Sequence, residues 1–188
     1  MRFLHKKYLC GRNRNGSLIL YTRSFLKYKS VYRVVDFKFS NFGVPGIVSR
    51  VEYDPNRSSF IALVYLKNGI CCYVTHTYNL CIGDTFFCYY YNIDSAFLKN
   101  GDICILNIFP DGSLIHNVEK IPFLGSIYSR AAGAYSTVIR KYKHIKKCLI
   151  KFKSGIYKFL SFECKAIFGI SSNYLHKRIM YGKAGRSR

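Results

Sequence analysis

The sequence predicts an all-β protein led by an extended basic arm, and three observations carry that expectation. From Val31 onward the chain breaks into short β-type runs separated by turn residues, the pattern of small barrels. No segment has strong helical periodicity, and only residues 172–180 suggest a helical turn. Charge is also partitioned. Residues 1–29 carry eight Lys or Arg and no acid, residues 30–105 carry six side chains of each sign, and residues 106–188 carry sixteen basic against three acidic. A neutral middle is thus flanked by segments of +8 and +13.

Residues 1–29 lack periodicity and contain Gly11, Gly16 and the Arg12/Arg14 pair, so they read as an arm that orders against a polyanion. The strand candidates that follow are 31–39, 46–53, 60–66, 70–75 and 102–108. Asn68-Gly69 sits between two of them and is a two-residue hairpin signal, because both central positions of that turn favour positive φ. Asp111-Gly112 is a second hairpin signal and opens the next module. About five short strands without net charge suit a Greek-key barrel of the OB type, although other small barrels suit them equally. Further on, 148–152 and 156–160 flank Lys153-Ser154-Gly155, a third hairpin signal. There Ile150 and Phe152 alternate with Lys151 and Lys153, so period-2 geometry turns the lysines away from the core.

Composition narrows the class. At 188 residues, 49% of them hydrophobic, the chain is long and apolar enough to bury a core in one domain or two small ones. Its longest apolar run, residues 60–66, is far short of the roughly 20 residues of a membrane-spanning helix, so no membrane span is expected. The formal charge of +21 is the footprint of a nucleic-acid partner, since Lys and Arg gain affinity by displacing counterions from phosphates. Eight cysteines lack any CxxC spacing, and Cys71-Cys72 would face opposite sides of a strand. They read as small hydrophobes; neither a metal nor a cofactor is expected.

The stretch from Tyr32 to Val64, YRVVDFKFSNFGVPGIVSRVEYDPNRSSFIALV, carries a more specific message. It resembles the family of the second large-subunit protein of the universal ribosomal set. Further blocks fit that family in the same order: Gly11-Arg12-Asn13-Arg14-Asn15-Gly16, Gly112-Ser113 with His116-Asn117-Val118-Glu119, Arg130-Ala131-Ala132-Gly133, and Gly182-Lys183-Ala184-Gly185-Arg186. The resemblance implies an OB-fold barrel followed by an SH3-like barrel, giving an arm at 1–29, an OB-like barrel at 30–105, an SH3-like barrel at 106–180 and a basic tail at 181–188. It also implies a structural role in the large ribosomal subunit, with large-subunit rRNA and neighbouring ribosomal proteins as partners. The chain departs from the family at Ser24-Phe25-Leu26-Lys27-Tyr28-Lys29, where relatives carry a glycine-rich His-Lys stretch, and at its end, where relatives continue into a glycine-rich extension. Two explanations stand for the extension: loss, or supply by a separately encoded C-terminal fragment, which is the expectation favoured here. Seventeen Tyr, fifteen Phe and no Trp fit an AT-rich organelle genome. Only Met1 to Cys10 precede the family-like block, too short for a transit peptide, so a protein made within the mitochondrion is expected.

The RNA-contacting candidates follow. Arg12, Asn13, Arg14, Asn15 and Arg23 lie on a backbone able to track phosphates, with a loose solvated tail as the bland alternative. Tyr32 and Arg33 offer a stacking face and a phosphate donor, though Tyr32 reads equally as core; Lys38 follows close by. Arg57 either faces RNA or pairs with Glu52 or Asp54 within its own turn. His116 and Asn117 read as a pair bonding RNA or backbone. Arg130 sits among small residues that permit close approach, either of rRNA or of one barrel to the other. The densest cationic run comprises Arg140, Lys141, Lys143, Lys146, Lys147, Lys151, Lys153 and Lys158, uninterrupted by any acid. Arg178, Lys183, Arg186 and Arg188 extend the basic surface toward the end.

An enzyme is not expected. Nine acids and five histidines supply no recognisable triad, carboxylate pair or Cys-His frame, and Gly182-Lys183 lacks the remaining residues of a phosphate-binding loop. The competing classes are a stand-alone RNA-binding or antitermination-like factor and a basic peripheral membrane protein. The last lacks the amphipathic helix such binding usually employs.

Overall fold

The computed structural model describes residues 3–5 as backbone, together with residues 15, 17, 31–41, 43–89 and 97–183. Those residues form a nearly all-β chain with curled sheets, consistent with an OB-fold barrel and an SH3-like barrel. No helix among them is long and apolar enough to cross a membrane.

Strands β1 (Phe3–His5) and β2 (Val31–Arg33) pair antiparallel, so part of the predicted arm folds back as a strand. The run expected at 31–39 stops after β2, apart from a bridge from Val35 to Tyr73, and Asp36 explains why. Its carboxylate accepts hydrogen bonds from the backbone N–H groups of Lys38, Phe39 and Ser40, which competes with strand pairing.

The first sheet is ordered β5-β4-β3-β6, from β3 (Gly46–Glu52), β4 (Ile61–Leu66), β5 (Cys71–Thr75) and β6 (Thr85–Phe86). The hairpin at Asn68-Gly69 forms, but by a different turn from the one expected. Gly69 N–H donates to Leu66 O at 2.9 Å, Leu66 N–H donates to Ile70 O at 3.0 Å, and Gly69 has φ +82° while Asn68 is not in the left-handed region. This is a three-residue loop closed by a left-handed glycine.

The second sheet has six strands in the order β13-β12-β11-β8-β14-β7. They are β7 (Ile103–Ile105), β8 (Leu114–His116), β11 (Ser136–Tyr142), β12 (Lys147–Phe152), β13 (Tyr157–Ser161) and β14 (Lys165–Phe168). A short ladder of β9 (Val118–Glu119) with β10 (Ser126–Tyr128) lies beside them. The predicted strand at 102–108 therefore forms only over β7 and pairs with β14 of this second sheet. Pro110 O accepts from Ser113 N–H at 3.2 Å, so Asp111-Gly112 does make a turn. It makes no hairpin, because β14 lies between β7 and β8. The turn at 153–155 repeats the first hairpin's device: Gly155 N–H donates to Phe152 O, Phe152 N–H donates to Ile156 O, both at 2.9 Å, and Gly155 has φ +88°.

Each sheet closes over its own core. Val48, Val64, Leu66 and Phe86 fill the first, and Leu106, Phe109, Ile115 and Ile150 fill the second. Ile103 and Ile167 come from the second sheet yet pack in the first core, which couples the two. Of the cysteines, Cys88, Cys104, Cys148 and Cys164 are buried free thiols. Burial pushes Cys148 up to about 11 and Cys88 and Cys164 to about 12, which keeps them protonated at neutral pH.

Candidate nucleic-acid interface

The two barrels meet along a seam of polar, mostly buried groups. Thr77 and Ser171 form an antiparallel bridge, Tyr78 N–H donates to Ile170 O at 2.7 Å, and Ser172 N–H donates to His76 O at 3.0 Å. His116 and Asn117 stand in this seam with 0% and 1% of their surface exposed. His116 Nδ1 donates to Gly169 O at 3.2 Å, which leaves Nε2 to accept from the Thr77 hydroxyl at 3.4 Å. Asn117 Nδ2 donates to Thr75 Oγ1. Burial pushes the His116 imidazole down to about 4, against the opposing pull of the Gly169 carbonyl and with a smaller push from His76. Of the two readings of this pair, RNA or backbone, His116 takes the second by bonding the Gly169 carbonyl, and Asn117 bonds a protein side chain. The pair's side chains bond protein across the seam and offer no face to a ligand.

Lys165 is a second buried anchor, and sequence reasoning missed it. It is 2% exposed, and its ammonium donates to the carbonyls of Lys38 at 3.1 Å and Phe39 at 3.3 Å, carrying a cation from β14 into the first barrel. Desolvation lowers its pKa, opposed by Glu119. Glu119 is fully buried and accepts from the N–H groups of Lys165 at 2.9 Å, Gly125 at 3.2 Å and Phe123 at 3.4 Å. Glu119 fell within a family-like block, but nothing in its spacing distinguishes an internal acceptor from a surface acid.

The loop at 130–133 is drawn against the first barrel. Ala132 N–H donates to Ser58 Oγ at 3.1 Å, Ser59 Oγ to Arg130 O at 3.4 Å, and Gly133 N–H to Ser171 O at 3.2 Å. Gly133 has φ +59°, and a Cβ there would stand 2.8 Å from the Tyr174 backbone, so only glycine fits. Arg130 and Ala132 thus tie the loop to the first barrel while Gly133 fits it against Tyr174 of its own barrel, and the Arg130 side chain is exposed.

Arg130 and Arg57 converge on one ring. Their guanidinium carbons lie 4.7 and 5.6 Å from the centroid of Phe37, and Arg57 also stands 6.0 Å from Tyr32. Together with Asn56, Ser58 and Ala131 these groups line a cleft of about 400 Å³. Arg57 Nε also donates to Asp54 Oδ2 at 2.5 Å, the local pairing that its turn allowed. Asp54 is fully buried and accepts from Asn56 N–H at 3.0 Å, so Arg57 is a held cation rather than a swinging one. Arg33 lies behind, its Nε 3.5 Å from Glu52 Oε2 and an outer nitrogen 4.0 Å from Asp54. It serves this carboxylate network with 24% of its side chain exposed. Lys38 is exposed beside the cleft.

The cationic run lies mainly on β11–β13 and their turns. Arg140, Lys143, Lys146, Lys147, Lys151, Lys153 and Lys158 are exposed, and Lys141 is half-buried with its ammonium donating to Asn107 O at 2.9 Å. Lys153 donates to Gly133 O at 2.8 Å and Lys158 to Tyr128 Oη at 3.3 Å. Lys143 belongs to a 3-10 turn, Lys143–Ile145, and Arg178 ends another, Tyr174–Arg178; both cations are exposed, as is Lys183. Asn15 is an exposed turn residue. Arg12, Asn13, Arg14, Arg23, Arg186 and Arg188 lie outside the described residues.

Two abutting barrels with buried polar anchors along their seam, and with cations and aromatic rings on their outer faces, define a basic two-barrel β-protein. Residues 2–88 match the family model for Ribosomal Proteins L2, RNA binding N-terminal domain, and residues 99–188 match that for Ribosomal Proteins L2, C-terminal domain. The chain is 38% identical over 178 residues to large ribosomal subunit protein uL2 of Orientia tsutsugamushi (strain Ikeda), an alignment covering 95% of this chain and 63% of the relative. It is 39% identical over 178 residues to uL2m of Reclinomonas americana, covering 95% and 62%, and 36% identical over 179 residues to uL2 of Rhodopseudomonas palustris (strain BisB18), covering the same shares. The chain belongs to the ribosomal protein L2 family. It spans somewhat under two thirds of the length of these relatives.

Proposed function

We propose that the chain is a non-catalytic structural constituent of a large ribosomal subunit that binds rRNA through its two barrels. The observation that carries this reading is the cationic run of β11–β13 and their turns, in which eight Lys and Arg follow one another without an acid and seven are exposed. Cations on a rigid sheet meet phosphates at fixed spacing and release their counterions. The cleft shared by Arg57 and Arg130 supplies a second cationic point where the barrels join. The seam then sets the distance between the two sites, so the protein fixes the separation of the RNA elements it touches. Its partners are large-subunit rRNA and neighbouring ribosomal proteins, including any chain that carries the part of the relatives' length not spanned here.

The proposed domain division is an N-terminal arm at 1–29, an OB-like barrel at 30–105, an SH3-like barrel at 106–180 and a basic tail at 181–188, with β7 at the end of the OB-like span contributing its pairing to the second sheet. The proposed compartment is the mitochondrion, supported by the Tyr- and Phe-rich, Trp-free composition and by the relative named uL2m. The test is binding of the full chain to large-subunit rRNA over a salt series. Replacing Lys143 and Lys147 with Gln should weaken binding and flatten the dependence of log K on log salt by about 0.7–0.9 for each phosphate that is no longer neutralised. An unchanged slope overturns the assignment of this face, and purification of the protein with ribosomes outside mitochondria overturns the compartment.

A further inference from the structure

The outer face of β11–β13 carries more than charge. Cross-strand register sets three rows on it: Tyr142 with Lys147 and Ser161, Arg140 with Leu149 and Phe159, and Thr137 with Lys151 and Tyr157. These nine positions hold three aromatic rings, three cations and no acid. The opposite face of the same strands supplies Val138, Cys148, Ile150 and Leu160 to the core. The core is therefore filled without the outer rings, and Tyr157 and Phe159 each remain 53% exposed.

The rings and cations are arranged against one another. Tyr142 meets Phe159 edge-on with centroids 5.6 Å apart. Arg140 lies 5.7 Å from the Tyr142 centroid, and the Lys151 ammonium lies 5.5 Å from that of Tyr157. An apolar protein surface laid here would bury three cations without counter-charge, at a steep desolvation cost. Unpaired RNA has no such conflict, since each nucleotide brings a flat base and an anionic phosphate.

We propose that this face is a stacking platform for unpaired nucleotides, with bases on Tyr157 and Phe159 and phosphates on Lys151, Arg140 and Lys147. Same-face residues two apart on a strand stand about 6.6 Å from one another, so the two rings take separate bases. Exposed aromatics on a sheet can hold single-stranded RNA in this way, with little sequence preference because every base has a π-face. A duplex keeps its base faces stacked inside and gains only the cations. The platform rests on the rRNA-binding reading and adds to it a preference for unpaired segments.

The test uses the full chain with two labelled probes, an oligouridine and a fully paired RNA hairpin, and with large-subunit rRNA as reference. The Tyr157→Ala/Phe159→Ala variant should bind oligouridine roughly tenfold or more weakly. Its salt dependence and hairpin affinity should be unchanged, and its thermal melt should match the parent's. The Tyr157→Phe/Phe159→Tyr variant should keep oligouridine affinity, and ultraviolet crosslinking of the parent should map to Tyr157 or Phe159. Unaltered oligouridine binding by the alanine variant overturns the platform and leaves the face to a protein partner. Binding of rRNA without measurable binding of oligouridine overturns the platform alone, whereas failure to bind rRNA at all overturns the function on which it rests.

Discussion

Lowering the pH should open the seam between the barrels through His116, and the size of the effect follows from its burial. The imidazole is fully enclosed, donates to Gly169 O and accepts from Thr77, and has its pKa pushed from an ordinary 6.5 to about 4. Because the folded value is depressed, the unfolded chain binds the proton first as pH falls. Stability from this group is therefore fully present above about pH 6.5, declines below it, and is fully lost only below about pH 4. About 2.5 pH units at 1.36 kcal/mol each gives roughly 3 kcal/mol. Urea unfolding of the parent and of His116→Gln should be measured at steps from about pH 7.5 to about pH 4. Glutamine does not titrate, so the difference between the two curves removes the contributions of Asp102, whose buried carboxyl is pushed the other way, and of the remaining carboxylates. The parent should lose roughly 3 kcal/mol more than the variant over that window. Parallel pH profiles would refute the argument, because they would mean that His116 takes up its proton without opening the fold.

Other sites yield equally direct expectations. Gly169→Ala places a Cβ 2.8 Å from Thr77 Cγ2 at φ +106°, and should lower stability by about 2–4 kcal/mol in a thermal or urea melt. Arg57→Ala leaves the buried Asp54 carboxylate without its closest cation and should cost about 3 kcal/mol, whereas replacing the exposed Lys143 should change stability by under about 0.5 kcal/mol. Glu119→Gln keeps one acceptor oxygen for three N–H donors and should destabilise by about 1–3 kcal/mol, read from the urea midpoint. Ile150→Ala empties part of the second core and should cost about 2–5 kcal/mol.

Periodicity and turn chemistry carried much of the fold. Both glycine-closed hairpins could be read because their turns end in residues free to adopt positive φ, and in the second the β12 residues also alternate between core and solvent. The missed features were non-local. Asp36 stops its strand by capturing three N–H groups, and β7 belongs to the second sheet because β14, some sixty residues later, pairs with it. The strand signal at Ser136–Tyr142 was hidden by its charged outer positions and by the bulge between Val138 and Arg140, which breaks the period of two. At the candidate interface, cations were legible as a run, but their division between surface and seam was not. Lys165 and Lys151 look alike in sequence, and burial alone makes one an internal anchor and leaves the other in solvent.

Ile167 packs in the first core although it is carried by β14, and the strand that holds it also closes the second sheet against β7 and β8. Synthesis from the N-terminus therefore delivers most of both barrels before the residue that completes either one. A nascent chain halted short of residue 165 would hold two unfinished cores with exposed apolar surface, a species inclined to misassemble. Folding is expected to be late and joint, committed by a single strand of four residues.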